Sequence, residues 1–138
     1  MVEIISAKLI SYVKVDFSTE AEMDLYINMF EKEGENFYKQ LKQVGLLRWR
    51  FNRVWNKNGG FEVAQIFEYK DEKAYIKGQE LIAKLMSGNK SFFQKINLKR
   101  TASRSINLLD FYDSQEIIHS YSSLILLNGR GSFFNFLY

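Results

Sequence analysis

The segment from residue 46 to residue 69 constrains the fold more than any other part of the chain. Residues 46–56, LLRWRFNRVWN, set Leu47, Trp49, Phe51 and Trp55 at alternate positions, with Arg48, Arg50, Asn52 and Asn56 between them. This is the period-2 pattern of a strand with one apolar face. Asn56-Lys57-Asn58-Gly59 follows, with the residues of a type I turn closed by a left-handed glycine. A three-residue loop of this type pairs Asn56 with Gly60 and brings Phe61, Val63, Gln65, Phe67 and Tyr69 onto the same face as the tryptophans. The two apolar patterns agree only in this register, because a slip of one residue turns every side chain to the opposite face. An antiparallel hairpin is therefore expected at the centre of the fold.

The flanking segments fall into place around it. Residues 3–17 read as a long strand, with Ile5, Ala7, Leu9, Val13, Val15 and Phe17 alternating with Ser6, Lys8, Tyr12, Lys14 and Asp16. Ile4 and Ile10 make the even face half apolar, which suggests a sheet covered on both sides. Thr19 and Glu22 form a T-x-x-E capping box. A helix of about 25 residues follows, on which Met23, Ile27, Phe30, Phe37, Leu41 and Val44 make one apolar stripe. Gly34 lies on that stripe and is expected to let the helix approach the sheet closely; Gly45 is the expected stop. Residues 72–87, capped by Asp71, read as a second helix with Ala74, Gly78, Leu81, Ile82 and Leu85 inward. A short helix is expected at 90–98 and a fourth strand at 101–112. Two right-handed split crossovers of this order make an α+β, ferredoxin-like βαββαβ domain over residues 1–113: a four-stranded antiparallel sheet with its helices on one face. Residues 114–138 form an extension whose Asn128-Gly129 signal suggests a hairpin, or a segment that contacts a second subunit.

Composition removes whole classes of chemistry. The chain has no cysteine and one histidine, His119. A thiolate nucleophile, a disulfide framework and a metal site built on two imidazoles of one chain are thereby excluded. No serine sits in a G-x-S-x-G elbow, and Gly59-Gly60 lacks the lysine and following helix of a phosphate loop. No run of about 18 apolar residues suggests a membrane span, and residues 1–17 lack the pattern of a secretory signal, so a cytoplasmic chain is expected. Metal and cofactor are expected to be absent. The net charge of +3 is unevenly spread: residues 16–35 are acidic and residues 90–104 basic. Two solvated faces account for this, as does a self-association oriented by charge. Nucleic-acid binding is not expected, because Glu62 and Val63 break the RNP1 pattern after Gly60-Phe61.

In element order, in its long first helix and in its short helix before the last strand, the chain resembles the dimeric α+β barrel superfamily over residues 3–112. That group includes antibiotic-biosynthesis-type monooxygenases, haem-degrading monooxygenases and NIPSNAP-like proteins. The resemblance implies a homodimer, often with a small-molecule pocket between sheet and helices. It does not select one activity. Haem-degrading members ligate iron with a helical histidine, and no histidine lies in residues 1–118.

Five residues stand out as candidate ligand contacts; no catalytic residue is assigned. Arg53 and Gln65 interrupt the apolar face of the hairpin. Either Arg53 reaches water from the strand end, or the pair orients a ligand beneath the helices. Trp49 and Trp55 are core residues or the ring walls of a cavity. Tyr12, with Tyr26, Tyr69 and Tyr75, can bring a hydroxyl to such a cavity. On the opposite face, Arg48, Arg50, Lys8 and Lys14 need acidic partners if that face is covered, and Glu62 and Asp110 are candidates. The expected function is binding of a small apolar or aromatic ligand, with monooxygenase-like chemistry as an extension. The alternative is a non-enzymatic protein assembling through its sheet face and C-terminal tail.

Overall fold

Strand β1 (Leu9–Phe17), helix α1 (Glu20–Gln43), strands β2 (Leu46–Arg53) and β3 (Phe61–Tyr69), helices α2 (Glu72–Gly88) and α3 (Lys90–Gln94) and strand β4 (Leu98–Ile106) follow one another in the computed structural model, which describes residues 7–56 and 58–113. The strands form one antiparallel sheet in the order β2-β3-β1-β4, the ferredoxin-like arrangement expected. Ile5–Leu108 make one compact unit; of a second, Met1–Ile4 with Leu109–Tyr138, only residues 109–113 are described. The extension expected at 114–138, the strand residues before Ala7, and Lys57 of the hairpin turn lie outside the described residues.

Local chemistry sets the element ends. Thr19 caps α1 by accepting the Glu22 N–H at 3.2 Å, and its hydroxyl donates to Glu22 Oε1 at 2.8 Å. The other Glu22 oxygen accepts the Asn97 N–H at 2.5 Å, so half of the expected capping box is used to tie α1 to the start of β4. That backbone hydrogen bond, with help from Thr19, holds the Glu22 carboxyl below its ordinary range. Gly45 ends α1 in a left-handed conformation, φ 112°. A Cβ there would sit 2.4 Å from that of Ala74, so both backbone and space demand glycine. Asp71 caps α2 by accepting the Ala74 N–H at 2.8 Å.

The hairpin register is the expected one from Arg48↔Glu68 to Arg53↔Val63, with Phe51 opposite Gln65 and Trp49 opposite Phe67. Two differences matter. An irregularity between Leu46 and Arg48 sets Leu46, not Leu47, opposite Tyr69 and makes Leu46 the buried residue. The paired ladder also stops at Arg53, beyond which the Val54 N–H reaches Glu62 O, at 3.0 Å. Gly59 has the expected positive φ of 68°. Strand β4 begins three residues earlier than expected and ends at Ile106, because its partner β1 runs from Phe17, opposite Leu98, to Leu9, opposite Ile106.

The core lies on the odd face of β1 and β3. Val13, Val15, Phe17, Val63, Phe67 and Tyr69 pack there with Met23, Tyr26 and Leu41 of α1 and Ala74 of α2. Each large side chain fully buried contributes about 1.5–3 kcal/mol. Shortening Leu41, 2% exposed, to alanine would cost about 2–5 kcal/mol. The other face is mixed. Lys14 pairs with Glu62 at 3.8 Å, and Arg48 and Arg50 both meet Glu68, at 4.0 and 3.0 Å. Within the sheet, then, Glu62 partners Lys14, and Glu68, which was not among the expected acids, takes the arginines.

Candidate functional site

Helix α1 crosses the β2 side of the sheet with Ile27, Phe30, Glu31, Gly34, Glu35 and Tyr38 along one flank, the three-and-four spacing that puts them in line. Opposite them stand Trp49, Phe51 and Arg53 of β2. Between the two rows runs an open groove of about 670 Å3, within the size range of small-molecule sites. Its walls are mainly rings. Phe30 meets Trp49 edge-on with centroids 5.7 Å apart and packs on Phe51 at 5.1 Å.

Trp49 is fixed on two sides. One ring face stacks on Phe67 at 5.5 Å, and its Nε1–H donates to Gln65 Oε1 at 3.0 Å. Gln65, 4% exposed, donates in turn from Nε2 to the Tyr26 hydroxyl at 2.9 Å. The buried amide is satisfied at both ends by its neighbours, as a buried amide must be. Burial pushes the Tyr26 phenol up to about 12, against the pull of Arg100 and of the Gln65 hydrogen bond. Tyr26 is therefore neutral at physiological pH.

Gly34 does not do what its place on the apolar stripe suggests. A Cβ on it would meet only Trp49, at an ordinary 3.9 Å, so close packing does not demand glycine there. Its missing side chain widens the groove over Trp49. Gly78 of α2 is the contrary case: a Cβ would lie 2.7 Å from the Tyr69 ring. The Tyr69 hydroxyl is buried without a well-formed hydrogen bond. Burial pushes it up to about 12 as well, with the Gln79 side chain opposing.

The five expected ligand contacts separate. Trp49 lines the groove and Gln65 holds its indole from behind. Arg53 stands at the groove end, exposed, with its guanidinium donating to Asp24 of α1 at 2.6 Å rather than joining Gln65. Trp55 is 89% exposed beyond the end of the ladder and is not among the groove residues, a correction to its expected place on the apolar face. Tyr12 lies on the opposite face, opposite Ile66 and Ser103, so it brings no hydroxyl beneath the helices. Tyr75 does not either, since its hydroxyl accepts from Arg104 at 2.9 Å at the exposed edge. Directly beneath the helices, around Gln65, Phe67 and Phe93, the free space is only about 40 Å3. That is room for a water or two. The expected internal cavity is filled, and the space lies outside it, beside α1. Three residues escaped the sequence. Glu31 and Glu35 line the groove, although the acidic run of 16–35 suggested a solvated face or a charge-oriented self-association. Arg100 lines the small inner space and faces both buried tyrosines. Among the described residues no group of three His, Asp or Glu side chains can hold a metal ion, and no helix is long and apolar enough to cross a membrane.

Fold and site together define an α+β protein of the ferredoxin-like class with a ring-walled groove beside its first helix. The chain belongs to the family described as Domain of unknown function (DUF6974), which matches residues 6–106. No curated protein matches it. A solved dimeric ferredoxin-like protein from an uncultured marine organism is 31% identical, with 76% of this chain and 99% of that one covered and a TM-score of 0.71. A second dimeric ferredoxin-like protein of uncultured marine origin is 27% identical, with 77% and 99% covered and the same TM-score of 0.71. A monooxygenase of Streptomyces coelicolor, solved with nanaomycin D, shares the fold at 13% identity, with 78% and 94% covered and a TM-score of 0.57. The architectural resemblance to dimeric ferredoxin-like and monooxygenase-fold proteins thus holds.

Proposed function

We propose that this chain works as a homodimer that binds a small apolar, aromatic ligand in the groove between α1 and β2. The observation that carries the ligand site is Gly34. A glycine in a helix interior costs about 1 kcal/mol relative to alanine. Here neither φ nor packing demands it, and what its absent side chain provides is space above Trp49. The homodimer draws support from the similar solved proteins described as dimeric. Monooxygenase-like turnover of the bound ligand is the further extension. It draws on likeness of fold, and oxygen uptake with a bound aromatic substrate is its direct check.

A neutral fluorescent probe, N-phenyl-1-naphthylamine, tests the site. Its emission should rise on binding to the parent chain. Gly34→Leu, which extends a side chain into the groove from a Cβ at ordinary contact distance from Trp49, should weaken that binding about tenfold or more without lowering the melting temperature. Equal binding by the two proteins would sink the proposed site. Sedimentation equilibrium tests the dimer, and a folded monomer at high concentration would end that part.

The second reading, an assembly protein, draws on exposed apolar residues at the end of the chain described. Ile106 and Leu108 are exposed, as are Leu109, Phe111 and Tyr112. Truncation after residue 113 and after residue 105, followed by sizing, separates the contribution of this stretch from that of the tail.

A further inference from the structure

The charge around the groove narrows the class of ligand, and we infer that the groove takes an organic cation, an ammonium or similar head on an apolar body, with the head held at the Glu31–Glu35 end. This rests on the groove being a ligand site at all, as proposed above.

Three observations point the same way. The first is the rings. Phe30, Tyr38, Trp49 and Phe51 all line the groove. The faces of such rings carry negative quadrupolar charge, which attracts cations and repels anions. The second is the carboxylates. Glu31 forms no ion pair among the described residues, and Glu35 meets only the exposed Lys39, at 3.5 Å. An exposed pair of that kind is weak and open to competition. The third is where the positive charge stands. Arg53, the one cation lining the groove among the described residues, is half exposed and donates to Asp24 at 2.6 Å, a shorter contact than that of Glu35 with Lys39. Asp24 and Glu35 are eleven positions apart on α1, about 16 Å at 1.5 Å per residue. The groove therefore has a neutralised end at Arg53–Asp24, a ring-walled middle and an acidic far end. An anion would meet the two carboxylates at the far end, so a cation complements the length of the groove better than an anion does.

The test uses Trp49 emission in a Trp55→Phe background, where Trp49 is the sole tryptophan. The probes are benzyltrimethylammonium, its neutral isostere neopentylbenzene, and phenylacetate. The cation should bind at least about fivefold more tightly than the isostere, with phenylacetate weakest. The double variant Glu31→Gln, Glu35→Gln should lose about five- to tenfold for the cation and nothing for the isostere. Raising the salt concentration should weaken the cation alone. An isostere that binds within twofold of the cation, or a double variant that binds the cation unchanged, overturns the inference. In that case Gly34→Leu still discriminates: if it abolishes binding of the isostere, the groove stands and only the ligand class falls. If no probe perturbs Trp49 in any variant, both fall together.

Discussion

Two glycines in the middle of two helices face the same sheet, and they do opposite things. Gly78 of α2 is filled from below by Tyr69, whose ring occupies the place a side chain would take. Gly34 of α1 is left empty above Trp49. The inner region around Tyr26, Gln65 and Phe67 has only about 40 Å3 to spare, while the outer region beside α1 holds about 670 Å3. Trp49 belongs to both, since it lines the groove and also the inner space. The difference teaches that the ligand-sized space in this fold is not beneath the helices but on the flank where one helix omits a side chain.

The largest effect expected from the closed region is a dependence on pH. Tyr26 and Tyr69 are both raised to about 12 by burial, against an ordinary value of 10.0. The folded state then keeps these protons when the unfolded state sheds them. Stability is whole below about pH 10 and falls as pH rises through the window from 10 to 12, by roughly 2–3 kcal/mol for each tyrosine. Urea titrations at pH 9, 10, 11 and 12 check this. Tyr69→Phe should remove about half of the slope, and at neutral pH it should be neutral or stabilising, because it deletes a buried hydroxyl without a well-formed partner. A variant as alkali-sensitive as the parent would mean that the inner region is wetter than its packing implies.

Next in size is Gln65→Leu. It leaves the Trp49 N–H and the Tyr26 hydroxyl without their shared partner, at a cost of about 2–3 kcal/mol. Because Gln65 orients the indole, the substitution should also weaken binding in the groove, which it does not line. Loss of stability with unaltered ligand binding would show that the two regions are independent despite sharing Trp49.

What the sequence made legible follows the range of the interactions. The hairpin register, both helix caps and the glycine that ends α1 are set by residues near one another in the chain, and the expected fold class follows from their order. The irregularity at Leu46 is not local. It accompanies a turn in which the Lys70 N–H bonds to Gly45 O, across the sheet. Trp55 was misplaced because the alternating pattern continues past the point where pairing stops. Tyr12 is a different case: its even position beside Val13 already put it on the far face, and the expectation that it reaches the helix side ignored that parity. The groove itself was hidden. Gly34 and Gly78 look alike on their helical stripes, and only the neighbours brought by the sheet, Trp49 in one case and Tyr69 in the other, decide which is packed and which is open.

That distinction gives the two remaining predictions, a matched pair of glycine-to-alanine changes. Gly78→Ala should destabilise by about 1–3 kcal/mol despite alanine's better helix propensity, because the Tyr69 ring is fully buried and cannot yield to a Cβ 2.7 Å away. Gly34→Ala should stabilise by about 0.5–1 kcal/mol, because the new methyl meets Trp49 at an ordinary distance and the unfolded chain loses freedom. Denaturant midpoints of the two variants, with slopes compared, measure both. Opposite signs would separate packing from vacancy with one methyl group in each region. If Gly34→Ala is as costly as Gly78→Ala, α1 lies closer to β2 than the groove requires, and the space assigned to a ligand is not there. If it stabilises while weakening the binding of a groove ligand, the glycine exchanges helix stability for room, which is the trade the open flank of this domain implies.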